Sequence, residues 1–258
     1  MKNKISIILF ILLGSFYLSQ STIVEYFVSE RYGDKDANRS FLIFNPEEAL
    51  YFTVVDKQKE PAEEVVSNFN IKRGSKDYRK IDNLNHNYSL LMYPKMGSRL
   101  FLVLDQKPSV DWKISKEKTE ILGYHCTKAT GSFRGRHYIV WFTAAIPSSF
   151  GPWKLDGLPG LILKAEDTNG NNSYEAIKII QNSKQGIPLS VLDYINKKDK
   201  SEIKTYQDFI QNEEVFFKDL HEKYLASLPK DTNITNSSNY RKFAKEIDFE
   251  WQKEPKKP

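Results

Sequence analysis

The chain has 258 residues, and its 38 lysines and arginines against 33 aspartates and glutamates give a formal net charge of +5. That length is enough for one sizeable hydrophobic core, or for a core with an appendage. The basic excess is small and mostly scattered along the chain, so composition argues against nucleic acid as a partner.

The N-terminus has the pattern of an export signal. Lys2 and Lys4 precede an apolar run at residues 5–13, and small and polar residues follow. This order is typical of a cleavable signal peptide, and the run is too short to span a bilayer. We expect cleavage near residues 19–21, where two serines satisfy the small-x-small rule. No cysteine follows the run, so the predicted mature protein is soluble, without a transmembrane segment or lipid anchor, and periplasmic or secreted.

Residues 22–182 have the pattern of β-strands. Runs rich in β-branched and aromatic residues recur about every 10 residues, with Gly, Pro, Asn or Asp between them. The runs cover residues 23–28, 41–44, 50–55, 78–84, 88–93, 99–104, 111–115, 123–130, 136–143, 161–167 and 173–180. This spacing predicts an antiparallel meander. No segment here has convincing helical periodicity, which argues against a parallel α/β sheet, whose crossovers need helices.

The last quarter of the chain has a different pattern. Apolar residues three or four positions apart over residues 203–228 predict an amphipathic helix that Pro229 ends. A polar linker, a weaker helix or extended segment at 240–251 and a disordered tail complete the prediction. The predicted fold is α+β, mainly antiparallel β, with a curved open sheet or partial barrel. Its three parts are a signal peptide (1–21), a β domain (22–182) and a helical extension (183–258).

The segment between residues 150 and 163 is the most unusual in the chain. Three glycines and two prolines surround one tryptophan, and the candidate residues are Gly151, Pro152, Trp153, Gly157, Leu158, Pro159 and Gly160. Gly-Pro and Pro-Gly pairs favour turns, so we predict a double turn pinned by a buried tryptophan. The glycine spacing is not that of a phosphate-binding loop, so no nucleotide and no other cofactor is predicted.

Cys126 is the single cysteine, which excludes an internal disulfide. It lies in a predicted strand, where burial is the ordinary outcome for a cysteine. Its neighbour His125 would point to the opposite face of that strand, so the two cannot form a nucleophile–base pair. A site combining Cys126, His137 and Asp156 remains an alternative. Four histidines without ligand spacing predict no metal site.

Arginine and aromatic residues leave further alternatives open. Arg134 and Arg136 flank Gly135, and either could bind an anion or form an ordinary ion pair. Aromatic residues make up 13% of the chain, and they could fill a core or line a groove for an apolar ligand or partner.

Several motifs together resemble a known family. Residues 157–162 read GLPGLI, and residues 121–130 read ILGYHCTKAT, which contains Tyr124, Cys126 and Lys128. Residues 133–136 read FRGR, which contains Gly135 and Arg136, and Trp141 begins WFT. On these motifs the chain closely resembles the bacterial GLPGLI family of exported proteins, over residues 22–182 and most specifically over 112–167. The resemblance implies an exported protein without an established activity. The strand pattern is similar to the curved sheet of periplasmic lipoprotein carriers.

No recognised catalytic constellation is present, so the leading hypothesis is a non-catalytic envelope protein. It would be a carrier, binder or accessory factor for an apolar ligand or an envelope protein partner. The alternatives are an exported hydrolase with an unrecognised site near Cys126, His137 and Asp156, and a secretion-associated protein that docks through its C-terminal helix.

Overall fold

The computed structural model describes residues 20–30, 39–54, 60–69, 77–82, 87–92, 101–106, 109–197, 203–229, 241–242 and 244–252. Its strands are β1 (Ser21–Glu30), β2 (Arg39–Phe44), β3 (Glu48–Val54), β4 (Asp77–Asp82), β5 (Asn87–Met92), β6 (Phe101–Asp105), β7 (Lys113–Ile121), β8 (Tyr124–Phe133), β9 (Arg136–Thr143), β10 (Leu161–Asp167), β11 (Asn172–Ser183) and β12 (Ile203–Thr205). The helices are α1 (Ala62–Ser67), α2 (Leu189–Asn196) and α3 (Tyr206–Ser227), with a 3₁₀ turn at Glu250–Gln252.

The described strands form one sheet in the order β12-β6-β5-β4-β3-β2-β1-β11-β10-β9-β8-β7. Strands β1 to β6 form one meander and β7 to β11 a second, and the antiparallel pairing of β1 with β11 joins them. The β12–β6 pair alone is parallel among these strands. The edges, β12 and β7, do not pair with each other. The predicted α+β class, with an open, mainly antiparallel sheet and a C-terminal helix, is confirmed.

The central strands are apolar on both faces because both faces of the sheet are covered. All six residues of β2 are buried. Since side chains alternate along a strand, Leu42 and Phe44 enter a large core on one face, while Phe41 and Ile43 enter a second core on the other. Helices α1 and α2 cover the second core with apolar residues that include Val65, Val66 and Val191.

The edge strand β7 is built differently. Its sequence KISKEKTEI is mostly exposed, and its register with β8 shifts between Ile114 and Lys118. Charged side chains and an irregular register both discourage an edge strand from pairing with another chain. Hence β7 ends the sheet without offering a template for further strands.

Two local predictions differ from the structure. Helix α1 lies in the stretch predicted to lack helices, because six residues are too few for helical periodicity to stand out in the sequence. The helix predicted from residue 203 begins at Tyr206, since Ile203–Thr205 pairs with β6 as a strand. Thr205 then caps α3, and its hydroxyl accepts a hydrogen bond from the Asp208 amide at 3.1 Å.

Helix α3 packs its apolar residues on the rest of the fold through its first turns. Tyr206, Phe209 and Ile210 are buried, whereas Leu220 and Tyr224 are 50% and 58% exposed. The helix ends before Pro229, as predicted. The predicted docking of a partner through this helix stays a prediction.

Residues 241–242 and 244–252, here called the C-terminal strap, return to the body of the protein. Phe249 of the strap is buried in a small core with Val103, Tyr206, Phe209 and Ile210. A weaker helix or an extended segment was predicted at 240–251, and among the described residues of this region only Glu250–Gln252 form a helical turn.

Residues 1–19 of the predicted signal peptide (1–21) lie outside the described residues, as do the predicted linker and tail, whereas Ser21 already belongs to β1. Export, localisation and the division of the chain at residues 21 and 182 therefore stay predictions. Within the described residues, no helix combines the length and the apolar character needed to span a membrane.

Candidate functional site

A cleft of about 620 Å³ lies at one end of the sheet. Its walls come from the start of β1, the β2–β3 turn, the end of β11 and the loop between β9 and β10. The lining residues are Gln20, Thr22, Phe44, Asn45, Pro46, Ile146, Pro147, Ser148, Ser149, Phe150, Leu158, Pro159, Gly160 and Gln181. None of them is charged, although charged residues make up 28% of the chain. The cleft therefore offers aromatic and proline surface with hydroxyl and amide groups, and no ionic contact.

Two aromatic rings support the wall of the cleft. The rings of Phe44 and Phe150 lie 5.7 Å apart with their planes tilted by 59°, a favourable arrangement for an aromatic pair. The β2–β3 turn beside them is ordered by Asn45, whose side-chain oxygen accepts hydrogen bonds from the amides of Glu47 and Glu48, each at 2.9 Å. These contacts give the wall its shape without a ligand.

The glycine–proline loop, residues 144–160, closes on itself through its backbone. The Gly157 amide donates to the Ser149 carbonyl at 2.9 Å, and the Leu155 amide to the Pro152 carbonyl at 3.1 Å. Trp153 is 4% exposed, so the predicted double turn with a buried tryptophan is confirmed. Gly151, Pro152, Leu158 and Gly160 are also buried in the loop, while Gly157 and Pro159 are exposed.

Gly160 is required at the end of this loop. A Cβ atom there would collide with the Thr143 carbonyl oxygen of β9. The close approach lets the chain leave the loop and enter β10 at Leu161. The glycine in the predicted motif therefore has a steric role in shaping the rim of the cleft.

Behind the loop lies a buried ring of four charged side chains. The Lys154 ammonium lies 2.5 Å from Asp105 and 2.6 Å from Glu246, and the Arg134 guanidinium lies 2.7 Å and 2.6 Å from the same two carboxylates. All four side chains are at most 3% exposed. Glu250, at the rim, adds a further contact to Arg134 at 2.9 Å. We call Asp105, Arg134, Lys154 and Glu246 the ion ring.

Asp105 and Arg134 keep their charges because oppositely charged neighbours compensate for burial. Burial raises the pKa of Asp105, but Lys154 and Arg134 more than offset this and hold that pKa below its ordinary value. Burial lowers the pKa of Arg134, but Glu246 and Asp105 raise it by more than burial lowers it, so the guanidinium stays protonated. The ring of Tyr206 lies 3.8 Å from the Lys154 ammonium and 4.8 Å from the Arg134 guanidinium carbon, which adds cation–π attraction.

Arg134 and Gly135 form the two-residue turn between β8 and β9, and both have positive φ, at 41° and 82°, as a type I′ hairpin requires. The Arg134 carbonyl accepts hydrogen bonds from the strap amides of Ile247 and Asp248, at 2.9 Å and 3.2 Å. A Cβ atom on Gly135 would lie 2.5 Å from Ile247 and 2.9 Å from Asp248. This turn is therefore a docking surface for the C-terminal strap.

Arg136 completes the docking surface. Its guanidinium donates hydrogen bonds to the strap carbonyls of Lys242, at 2.9 Å, and Ala244, at 2.6 Å and 3.0 Å. The side chain is among the largest fully buried ones in the described chain. The sequence left anion binding or an ordinary ion pair open for each arginine. Arg134 forms ion pairs. Arg136 instead binds backbone carbonyls, which was not among the predicted possibilities.

Cys126 and His137 of the alternative hydrolase site do not come together. Cys126 is buried, and burial raises the pKa of its thiol. His137 pairs with Ser132 across the β8–β9 ladder, six residues from Cys126 along the strand, or about 20 Å. The backbone carbonyl of Asp156 accepts a hydrogen bond from the Trp112 indole at 2.8 Å. Within the described ranges, no group of three His, Cys, Asp or Glu side chains could hold a metal ion.

The remaining predicted residues lie outside the cleft lining. Lys128 stands directly opposite Trp141 in the β8–β9 ladder, with its ammonium 6.0 Å from the indole ring and 2.9 Å from Glu117. Tyr124 is partly buried against the large core. These contacts are those of cross-strand pairs in a sheet face.

Sequence reasoning missed the ion ring and half of the cleft. The sequence does not single out Asn45 or Pro46 of the cleft, or Asp105, Lys154 or Glu246 of the ion ring, as candidate site residues. No sequence signal connects Asp105 to Glu246, because folding alone brings together carboxylates 141 positions apart.

Comparison with known families gives one match. The family model described as N-glycanase peptide, N-terminal domain, matches residues 24–208. No curated protein matches the chain.

Solved structures give a similar fold. One, described as the structure of PNGF-II in the C2 space group, is 23% identical, with a TM-score of 0.51 over 75% of this chain and 33% of that chain. A second, of PNGF-II in the P21 space group, is 21% identical, with a TM-score of 0.49 over 75% and 34%. The first supports the fold alone. This chain spans about a third of the length of these solved chains.

The predicted membership of the GLPGLI family is wrong. The family model that covers residues 24–208 is a different one. The GLPGLI motif corresponds to part of a double turn and to the start of the following strand. Such local geometry depends on a few glycines and prolines that unrelated chains also use, so the motif alone does not identify a family.

Proposed function

Because the chain belongs to the family of N-glycanase peptide N-terminal domains, we propose that it is a non-catalytic binding domain for glycoprotein substrates. Its cleft beside the glycine–proline loop would hold neutral carbohydrate of an N-glycosylated protein. This proposal keeps the binding or accessory role predicted from the sequence and replaces the predicted apolar ligand with a neutral carbohydrate.

The uncharged lining of the cleft is the observation that carries this proposal. A neutral, hydroxyl-rich ligand needs apolar surface for its ring faces and a few polar groups for orientation, and small-molecule sites commonly combine the two. Phe44 and the prolines supply apolar surface, while Thr22, Asn45 and Ser149 supply polar groups. The volume, about 620 Å³, falls within the roughly 300–1,000 Å³ usual for such sites.

The chemistry of the lining supports a binding role over catalysis. It contains no histidine, lysine, cysteine or carboxylate, and a serine nucleophile needs a base within hydrogen-bond reach. The match also covers only 33% of the solved PNGF-II chain, so we assign none of that protein's activity to this domain. Export through a signal peptide cleaved near residues 19–21 remains part of the proposal, because it would bring the domain to extracellular glycoproteins.

Calorimetric titration tests the proposal with three probes: a neutral N-linked oligosaccharide, the glycopeptide that carries it, and the same peptide without the sugar. We expect the first two to bind and the third not to. Ser149→Trp should abolish binding by filling the cleft, because Ser149 is one of the lining residues. Ser173→Trp, at a half-buried position in β11 outside the lining, is the matched control and should bind normally. Equal binding of all three probes, or normal binding by Ser149→Trp, would contradict the proposal.

A further inference from the structure

The C-terminal strap contacts the tip of the loop whose base lines the cleft. Residues 146–150 and 158–160 form the base, and Lys154 lies between them at the tip. The Lys154 ammonium reaches Glu246 of the strap at 2.6 Å. A side chain outside the cleft therefore joins the cleft loop directly to the strap.

The strap supplies half of the negative charge in the ion ring. With the strap docked, Arg134 and Lys154 face Asp105 and Glu246, and the buried charges balance. Without Glu246, two buried cations would share one buried carboxylate. An uncompensated buried charge is strongly unfavourable, so Lys154 would move toward water and take the tip of the loop with it.

The same strap holds Trp153, the neighbour of Lys154. Trp153 has a φ of 56°, a backbone conformation that a bulky residue adopts only when its surroundings impose it. The Lys245 ammonium of the strap lies 4.4 Å from the centre of the Trp153 ring and 2.8 Å from Glu30 of β1. Releasing the strap removes this contact and favours relaxation of the backbone at the loop tip.

We propose that the C-terminal strap is a releasable clamp that regulates the cleft. Docked on the Arg134–Gly135 turn, it holds the loop in the shape that lines the cleft, and undocked it lets the loop relax. The effect on ligand binding rests on the proposed function, whereas the coupling between strap and loop does not. Linkage makes the coupling reciprocal, so a ligand in the cleft also favours the docked strap.

Hydrogen exchange of the full-length chain tests the coupling without a ligand. Glu246→Gln keeps the shape of the side chain and removes its charge. We expect exchange to rise about tenfold at the amides of Gly157 and Leu155, within the usual range for coupled sites, with the β1–β11 amides unchanged. Glu250→Gln is the matched control, because that carboxylate belongs to the same strap and contacts the same arginine but is 37% exposed. It should change loop exchange much less.

Truncation after residue 240 provides the second variant. We expect the shortened chain to keep its sheet and to show fast loop exchange, and a synthetic peptide of residues 241–252 to restore slow exchange. The same peptide carrying Glu246→Gln should fail to do so. The clamp is overturned if loop exchange in Glu246→Gln matches that of the unaltered chain. Loss of the whole fold in both variants would overturn it equally, because a clamp must be separable from the sheet.

Binding measurements separate this inference from the proposed function. If the unaltered chain binds the oligosaccharide, Glu246→Gln should weaken that binding about tenfold. If no probe binds but loop exchange still depends on the strap, the proposed function fails and the clamp stands. If loop exchange is unchanged in Glu246→Gln, the clamp proposal is wrong whether or not the oligosaccharide binds. The binding proposal is then judged by the calorimetric titration alone.

Discussion

Gly135 illustrates at the residue scale how one position can serve two requirements. It has the positive φ that a two-residue hairpin needs, and it leaves room for the strap to approach the turn. Gly123, in the β7–β8 hairpin, meets only the first requirement. Its φ is 78°, and a Cβ atom there would have nothing within 4 Å.

The two glycines allow backbone strain to be separated from steric contact. Gly123→Ala should lower the free energy of unfolding by about 1–2 kcal/mol, the usual cost of a left-handed backbone. Gly135→Ala should cost more, because its methyl group also displaces Ile247 and Asp248 of the strap. Urea denaturation of both variants measures the difference, and equal losses would show that the strap does not press on this turn.

At the element scale, the ion ring joins parts of the chain that no backbone ladder connects. Asp105 ends β6, Arg134 lies in the β8–β9 turn, Lys154 in the glycine–proline loop, and Glu246 in the strap. Buried ion pairs add little net stability over apolar contacts, but breaking one of them is costly. The ring therefore specifies how these elements dock more than it adds to stability.

The pH dependence of unfolding should reveal this ring. The folded pKa of Asp105 lies below its ordinary value of 3.8, so its stabilising effect is complete above that value and is lost as the pH falls through the folded pKa. We expect the free energy of unfolding to drop more steeply below about pH 4 in the unaltered chain than in Asp105→Asn. Urea titrations from pH 7 to acid measure both slopes. Equal slopes of unfolding free energy against pH in the two chains would mean that protonation of Asp105 does not affect stability.

On the scale of the whole molecule, the described strands form one open sheet, and each face of this sheet packs against a hydrophobic core. The large core lies against β8 to β10 and the glycine–proline loop, and the second against α1 and α2. The cleft lies at the rim, where turns and strand ends meet, and it shares Phe44, Ile146, Phe150 and Leu158 with the large core.

Cys126 offers a probe of this whole-molecule packing. It is 0% exposed in the large core, and burial raises the pKa of its thiol, so a thiol reagent should label it only when the sheet opens. We expect labelling to follow the urea unfolding curve, in agreement with fluorescence. Rapid labelling in the absence of urea would show an accessible thiol and reopen the question of a cysteine nucleophile.

Prediction from the sequence succeeded where local pattern determines structure. The predicted runs at residues 136–143 and 161–167 coincide with β9 and β10, and Trp153 is buried as expected. It failed where the signal was short or depended on a distant partner, as with α1 and β12. The role of Arg136 was also missed, because its partners are backbone carbonyls more than 100 residues away.

The sequence by itself determined the fold class, the double turn at Trp153 and the end of α3, because alternation, glycine–proline chemistry and helical periodicity act between near neighbours. Tertiary structure alone decided the uncharged cleft, the ion ring and the docking of the strap. Their members come from segments far apart in the chain, and the free energy that pairs Glu246 with Lys154 exists only after folding has excluded water from both. The family, likewise, was shown by the match over residues 24–208 and not by the six-residue motif.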